Sequence, residues 1–251
     1  MSNYNIYFSP TGGTGKVADI LARGLFPNWQ AIDLCEPTTP KELTNEDVCL
    51  ISVPSYGGRV PTLNLERLRS IQGNGAKAIL VCVYGNREWD DTLTELQDTL
   101  EELGFVCAAA VAAVAEHSIF RQFAAGRPDE ADAAELTAFA GKIQEKLTAG
   151  TFGPLELAGS HGPYKPFGGA AFKPLVSDAC DGCGTCAQSC PANAIDPKHP
   201  NTTNLEACIG CMRCISLCPK QARGLDPQVV ETVGAKLAPM LGGHKENHLF
   251  L

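Results

Sequence analysis

Eight of the twelve cysteines fall in two runs of identical spacing, Cys180-Cys183-Cys186-Cys190-Pro191 and Cys208-Cys211-Cys214-Cys218-Pro219, each C-x2-C-x2-C-x3-C-P. Three thiolates two residues apart can reach three corners of one metal–sulfur cube from a single tight loop, and the fourth ligand then has to come from elsewhere. A tetrahedral zinc ribbon uses two C-x2-C pairs per ion and leaves the third cysteine, the fourth and the proline without a role. Disulfides fit no better. The N-terminal residues show no basic stretch followed by an apolar one, so no export signal is expected, and cytosolic thiols stay reduced. The runs predict iron–sulfur clusters, which pass electrons singly. Cys49, Cys82 and Cys107 lie within predicted strands and Cys35 just after one, and these four read as small buried residues.

The two runs resemble those of bacterial ferredoxins that carry two 4Fe-4S clusters. The resemblance implies that the runs exchange ligands. Cys180, Cys183 and Cys186 would take Cys218 for one cluster, and Cys208, Cys211 and Cys214 would take Cys190 for the other.

A second constellation lies near the start. Ser9-Pro10-Thr11-Gly12-Gly13-Thr14 is a small, hydroxyl-rich turn, followed by Val17, Ala18, Ile20, Leu21, Ala22 and Leu25 on one helical face. Hydroxyls and free backbone N–H groups at a helix N-terminus offer donors and a positive partial charge to a phosphate. The nucleoside-triphosphate loop is excluded, because Val17 follows Gly15-Lys16 and Pro10 stands where that loop needs glycine. The dinucleotide fingerprint is excluded too, because Gly12-Gly13-x-Gly15 lacks its glycine order. Two further loops, Pro54-Ser55-Tyr56-Gly57-Gly58-Arg59 and Tyr84-Gly85-Asn86-Arg87-Glu88-Trp89-Asp90, each bring aromatics and a glycine. A flat apolar ring buries well between such side chains, with Tyr56 and Trp89 expected on its two faces. His117 follows a predicted strand and reads first as a surface hydrogen-bonder, while the other four histidines offer no metal spacing.

The elements that position these groups read as strands at Asn5 to Phe8, Ala31 to Leu34, Val48 to Val53, Ala76 to Val83 and Phe105 to Val114. Further helices are predicted at Leu63 to Ile71, Asp90 to Leu103 and Asp129 to Leu147. Five strands alternating with helices make an α/β domain with a doubly wound parallel sheet, whose ligands bind outside the strand carboxyl ends near the topological switch. The turn and both loops fall there. The turn resembles the S/T-x-T-G-x-T phosphate loop of flavodoxins, and the two loops resemble those that clasp their isoalloxazine ring. That resemblance implies FMN, with its phosphate at Ser9, Thr11, Gly12, Gly13 and Thr14. Its ring would lie among Tyr56, Gly57, Gly58, Arg59, Tyr84, Gly85, Asn86 and Trp89. In the family, the peptide at the position of Gly57 turns its carbonyl toward flavin N5–H when one electron is added, and glycine allows this cheaply. Arg59 departs from many flavodoxins: a cation near flavin N1 would raise the potential, unless the side chain points away to grip a partner.

Length and composition divide the chain. Its 251 residues suit two domains. Residues 1–150 read as a flavodoxin-like FMN domain, 151–175 as a Gly/Pro-rich linker, 176–224 as a small α+β two-cluster 4Fe-4S ferredoxin domain, and 225–251 as a docked tail. Together they resemble the bacterial flavodoxin–ferredoxin fusions found largely in anaerobes. Ala192 to Ala207 is expected to form a short loop and strand pair. Pro163-Tyr164-Lys165-Pro166-Phe167-Gly168-Gly169 is expected to form a strap on the domains. The formal charge of -8 comes from the first 150 residues, with 12 basic against 20 acidic side chains. Nucleic acid is thereby excluded, and redox partners with basic patches are expected. No window is apolar for the roughly 18 residues of a membrane span, so a cytoplasmic protein is expected.

The leading expectation is electron transfer between two 4Fe-4S clusters and FMN in one chain, the flavin converting between one- and two-electron chemistry. The alternative is an FMN-dependent reductase of a small acceptor, quinone or nitro in type, fed by its own ferredoxin domain. A third is a ferredoxin whose flavin site is vestigial.

Overall fold

The computed structural model describes residues 2–165 and 172–251. Strands β1 (Asn3–Tyr7), β2 (Gln30–Asp33), β4 (Val48–Pro54), β6 (Lys77–Tyr84) and β7 (Val106–Val114) pair in parallel in the order β2-β1-β4-β6-β7. This is the flavodoxin-like doubly wound order. A strand covered on both faces reads as a continuous apolar run, and every residue of β4 is buried. Helices α1 (Gly13–Leu25) and α4 (Glu130–Ala149) pack on one face with Val17, Leu21, Leu136 and Ile143. Helices α2 (Thr62–Leu68) and α3 (Thr92–Glu102) cover the other with Leu65, Leu68, Leu93 and Leu96. Short strands β3 (Lys41–Glu42) and β5 (Ile71–Gln72) pair beside the main sheet. Ile71 therefore belongs to a strand, and α2 ends three residues before the predicted limit.

The sheet has a sixth strand. β10 (His248–Phe250) runs antiparallel to β7, with Leu249 opposite Val111, and covers an edge that would otherwise offer unpaired backbone groups. Three residues are too few to carry a strand signal. What fixes them is Asn247, 5% exposed, whose Oδ1 accepts the Val114 N–H at 2.9 Å while its Nδ2 donates to Asp132 and Glu135.

Residues 151–165 lie along α3. The Leu155 carbonyl accepts from Gln97 at 3.1 Å, the Ser160 carbonyl accepts from Thr94 at 3.1 Å, and Tyr164 donates to Asp98. The rest of the expected strap, Pro166 to Gly169, lies outside the described residues.

The second part repeats itself every 28 residues. Helix α5 (Thr185–Gln188) matches α6 (Arg213–Ser216) in place, and each follows a left-handed residue, Gly184 or Met212. Gly182 and Gly210 match in the same way, as do Asn193 and Gln221, all with positive φ. Strands β8 (Leu175–Val176) and β9 (Arg223–Gly224) pair antiparallel at the ends of the repeat. The strand pair expected between Ala192 and Ala207 does not form. Its ladder stops at one bond, from the Asn204 N–H to the Ala194 carbonyl at 2.7 Å, because Pro197 and Pro200 lack the N–H groups needed to continue it. Helix α7 (Pro227–Leu241) starts on Asp226, whose side chain accepts from the Gln228 N–H, with Pro227 in the first turn where no N–H is needed.

Candidate redox sites

The cysteines of the two runs surround two small cavities. One is lined by Cys180, Cys183, Cys186 and Cys218, the other by Cys190, Cys208, Cys211 and Cys214. Each cavity draws its fourth cysteine from the opposite run. That thiol is fixed the same way in both. The Ala222 N–H donates to Cys218 Sγ at 3.2 Å and the Ala194 N–H to Cys190 Sγ at 3.3 Å. Burial pushes the Cys211 thiol up to about 12 and the Cys214 thiol to about 11. At Cys218 burial also opposes ionisation, but N–H groups of Ala222, Lys220 and Arg223 together outweigh it and lower the value. Four thiols around one cavity, with N–H donors on sulfur, form a donor set suited to a cubane, whose binding would expel the thiol protons.

A larger cavity, of about 420 Å³, opens at the carboxyl ends of β1, β4, β6 and β7. The volume falls in the range of cofactor sites. Thr11, Gly13, Thr14, Tyr56, Gly57, Gly58, Tyr84 and Gly85 line it, so all three loops meet there. Ser9 and Gly12 shape the turn from behind. Ser9 Oγ accepts the Gly15 N–H at 2.7 Å, and Gly12, at φ 95°, gives its carbonyl to the Lys16 N–H. No acidic side chain occupies the first turn of α1 itself, although Glu88 and Glu116 also line the cavity that its positive end borders. Gly57 and Gly58 both have positive φ, where a side chain would be strained.

Three expected ring contacts lie elsewhere. Arg59 turns away to a buried, bidentate pair with Glu95 of α3, and its guanidinium lies over the Tyr164 ring at 4.9 Å. Glu95 is 3% exposed and also accepts the Val60 N–H, so its buried charge claims the arginine. Trp89 packs between Tyr84 and His248, at 5.2 and 5.1 Å, because β10 brings an aromatic partner to that side of the sheet. Asn86, with φ 64° and 3% exposed, donates to the carbonyls of Leu241 and Gly243 and clamps the end of α7. None of the three lines the cavity.

The walls that sequence reasoning missed come from distant chain segments. Phe120, Phe172, Leu237, Leu241, Ile209 and Gly210 also line the cavity. Only their apolar character was visible beforehand, and nothing local places them together. His117 also lines the cavity. Its Nδ1 accepts the N–H groups of Ile119 at 3.1 Å and Phe120 at 3.2 Å, so Nε2 carries the proton, and burial pushes the ring down to about 4. His117 is thus a neutral N–H donor at the wall.

The two parts are joined beside this cavity. Arg67 of α2 donates to the Pro191 carbonyl at 2.6 Å and also to that of Leu34. Arg213 reaches the Ser9 carbonyl at 3.5 Å and Glu36 at 3.9 Å. Burial, then the thiols of Cys211 and Cys35, push the Tyr56 hydroxyl well above its usual value.

Residues 179–223 match the family model of the 4Fe-4S dicluster domain. No curated protein matches the chain. Among solved structures, a Streptococcus pneumoniae TIGR4 flavodoxin is 17% identical and covers 60% of this chain and 100% of its own, with a TM-score of 0.42. Flavodoxin 1 from Bacillus cereus is 16% identical over 58% of this chain and 98% of its own, at 0.42. Rubredoxin oxygen:oxidoreductase from Desulfovibrio gigas is 18% identical over 59% of this chain and 36% of its own, at 0.43. The fold assignment itself rests on strand order and register. Among the described residues, no helix is long and apolar enough to cross a membrane.

Proposed function

We propose that this chain, a flavodoxin-like α/β domain joined to a 4Fe-4S ferredoxin segment, carries two 4Fe-4S clusters and FMN and moves electrons between them. The observation that carries the reading is one shared wall. Ile209 and Gly210, lying between the cluster cysteines Cys208 and Cys211, line the same cavity as the phosphate turn and the two ring loops. FMN, when bound, supplies the exchange between single electrons and pairs.

The chain's own residues would do the rest. Thr11, Gly13 and Thr14 at the positive end of α1 receive the phosphate, and Tyr56 and Tyr84 flank the ring loops. Phe120, Phe172, Leu237 and Leu241 exclude water from the ring side, which strengthens the electrostatic contacts within. Gly57 keeps the backbone freedom that the family uses at this position.

Protein prepared without oxygen is expected to hold about eight irons and one FMN per chain. About four irons would refute the two-cluster reading, and a full iron complement without flavin would refute the flavin half. The reductase reading gains one observation, the neutral His117 N–H at the cavity wall, able to bind an acceptor's oxygen. Reoxidation of the reduced protein by small quinones or nitro compounds as fast as by protein acceptors would select it.

A further inference from the structure

The structure assigns unequal roles to the two cysteine sets, and this assignment rests on the cofactor content proposed above. We infer that Cys190, Cys208, Cys211 and Cys214 hold an inner cluster that exchanges electrons with the flavin. Cys180, Cys183, Cys186 and Cys218 hold an outer cluster, the terminal at which a one-electron protein partner meets the chain.

Ile209 carries the argument. Ile209 is the one residue that lines both the cavity of the inner cysteines and the larger flavin cavity. The wall of the outer cavity is built wholly from residues 180–223 and shares none with the flavin cavity. The polar contacts agree. Among the described residues, the hydrogen bonds and ion pair joining residues 172–224 to the first domain come from Pro191, next to Cys190, and from Arg213, between Cys211 and Cys214. The outer set is tied to its own segment instead. Asp181 pairs with Lys220 at 3.5 Å, Cys186 Sγ lies 3.6 Å from the Pro200 carbonyl, and the 3%-exposed Arg223 binds Pro200, Thr202 and Thr203. Cys183 is exposed, whereas Cys211, its equivalent 28 residues on, is buried.

Electron transfer weakens steeply with distance, so this placement fixes the order of travel. Each transit oxidises one centre by one electron and reduces the next by one. Two transits load the flavin with a pair, with protons from water, at the expense of two reduced iron–sulfur partner molecules. The reverse sequence delivers two single electrons outward.

The test uses the full chain with its iron and FMN contents measured first, so that missing FMN or half the iron strikes the proposed function and not this assignment. An iron chelator is added with an alkylating agent, and the thiols released are mapped by peptide mass spectrometry. Cys183, the exposed ligand of the outer set, is expected to label about tenfold faster than its buried equivalent Cys211 of the inner set, because exposure governs thiol access. Equal rates, or Cys211 first, overturn the assignment. A second measurement poises the flavin with one electron and records the reduced-cluster EPR signal in Cys183→Ser and Cys208→Ser. Broadening by the flavin is expected in Cys183→Ser, where the inner cluster is intact. Broadening confined to Cys208→Ser, or none in Cys183→Ser, overturns it.

Discussion

Asn247→Leu gives the sharpest test of how the large cavity is closed. The wild-type side chain accepts the Val114 N–H at 2.9 Å and donates to Asp132 at 2.9 Å and Glu135 at 2.7 Å. Leucine has similar volume and can do none of this. The Val114 N–H is left buried without a partner, which costs about 1–3 kcal/mol. Asp132 keeps Arg127 and the Asp129 N–H and loses one charge-assisted bond, about 1.5 kcal/mol. Half-buried Glu135 can turn to water, and the apolar side chain returns about 1 kcal/mol of burial. The net loss is about 3 kcal/mol, or roughly a hundredfold in the opening equilibrium of the C-terminal segment. That segment follows Leu241, a cavity wall, and its neighbour Lys245 is bound by Arg127 at 2.6 Å. Native-state hydrogen exchange should therefore show the Val114 and Phe250 amides losing about two orders of magnitude of protection. Bound FMN should dissociate faster. Unchanged protection at Val114, or a loss below about 1 kcal/mol, would refute the reasoning that one buried amide holds the segment down.

Three further outcomes follow from the same geometry. His117 has a folded value of about 4 against 6.5 when free, so between these the unfolded chain binds the proton and the native one does not. Its contribution is whole above about pH 6.5 and falls as the pH drops toward 4, by about 2 kcal/mol after allowance for partial exposure. Urea midpoints at pH 7 and pH 4 should show this loss in the wild type and not in His117→Phe; equal pH dependence would sink it. Arg59→Met should cost about 3 kcal/mol by stranding Glu95, with FMN affinity unchanged, and a tenfold loss of FMN affinity at unaltered stability would restore Arg59 to the ring. Gly24→Ala places a Cβ 2.6 Å from that of Ala140 and should force α1 from α4 at about 1–3 kcal/mol, against a helix-propensity gain of about 1, so net stabilisation in a thermal melt would contradict the packing.

What could be read in advance was whatever depends on spacing along the chain. The cysteine runs, the turn at residues 9–14 and the buried strands are of this kind, since each is specified within about ten residues. The side-chain destinations of the ring loops are different in kind. Arg59 is decided by Glu95, 36 residues away, and Trp89 by His248, which reaches it only because the C-terminus adds a strand. Asn86 looked like a ring-loop amide, but its partners are carbonyls at the end of a helix more than 150 residues on. Each error has one cause: a polar or aromatic side chain goes to the strongest partner in space, and no local pattern names that partner. The missing strand pair between Ala192 and Ala207 is the reverse case, since Pro197 and Pro200 were legible warnings against it.

The 28-residue repeat gains its asymmetry from the same contacts. Both halves need a left-handed residue before the short helix that carries the third cysteine. The first half uses Gly184, beside the outer cavity, where glycine adopts φ 77° without cost. The second uses Met212 at φ 62°, a conformation that costs a side-chain-bearing residue about 1 kcal/mol or more. Met212 is 3% exposed and lines the inner cavity, so the strain is offset by burying a large side chain. A symmetric pair of clusters would have no use for that exchange. Because each cavity takes its fourth thiol from the opposite run, whatever fixes the second half against the flavodoxin-like domain fixes the first half as well. The outer cavity needs no contact of its own with that domain and remains free to face a partner.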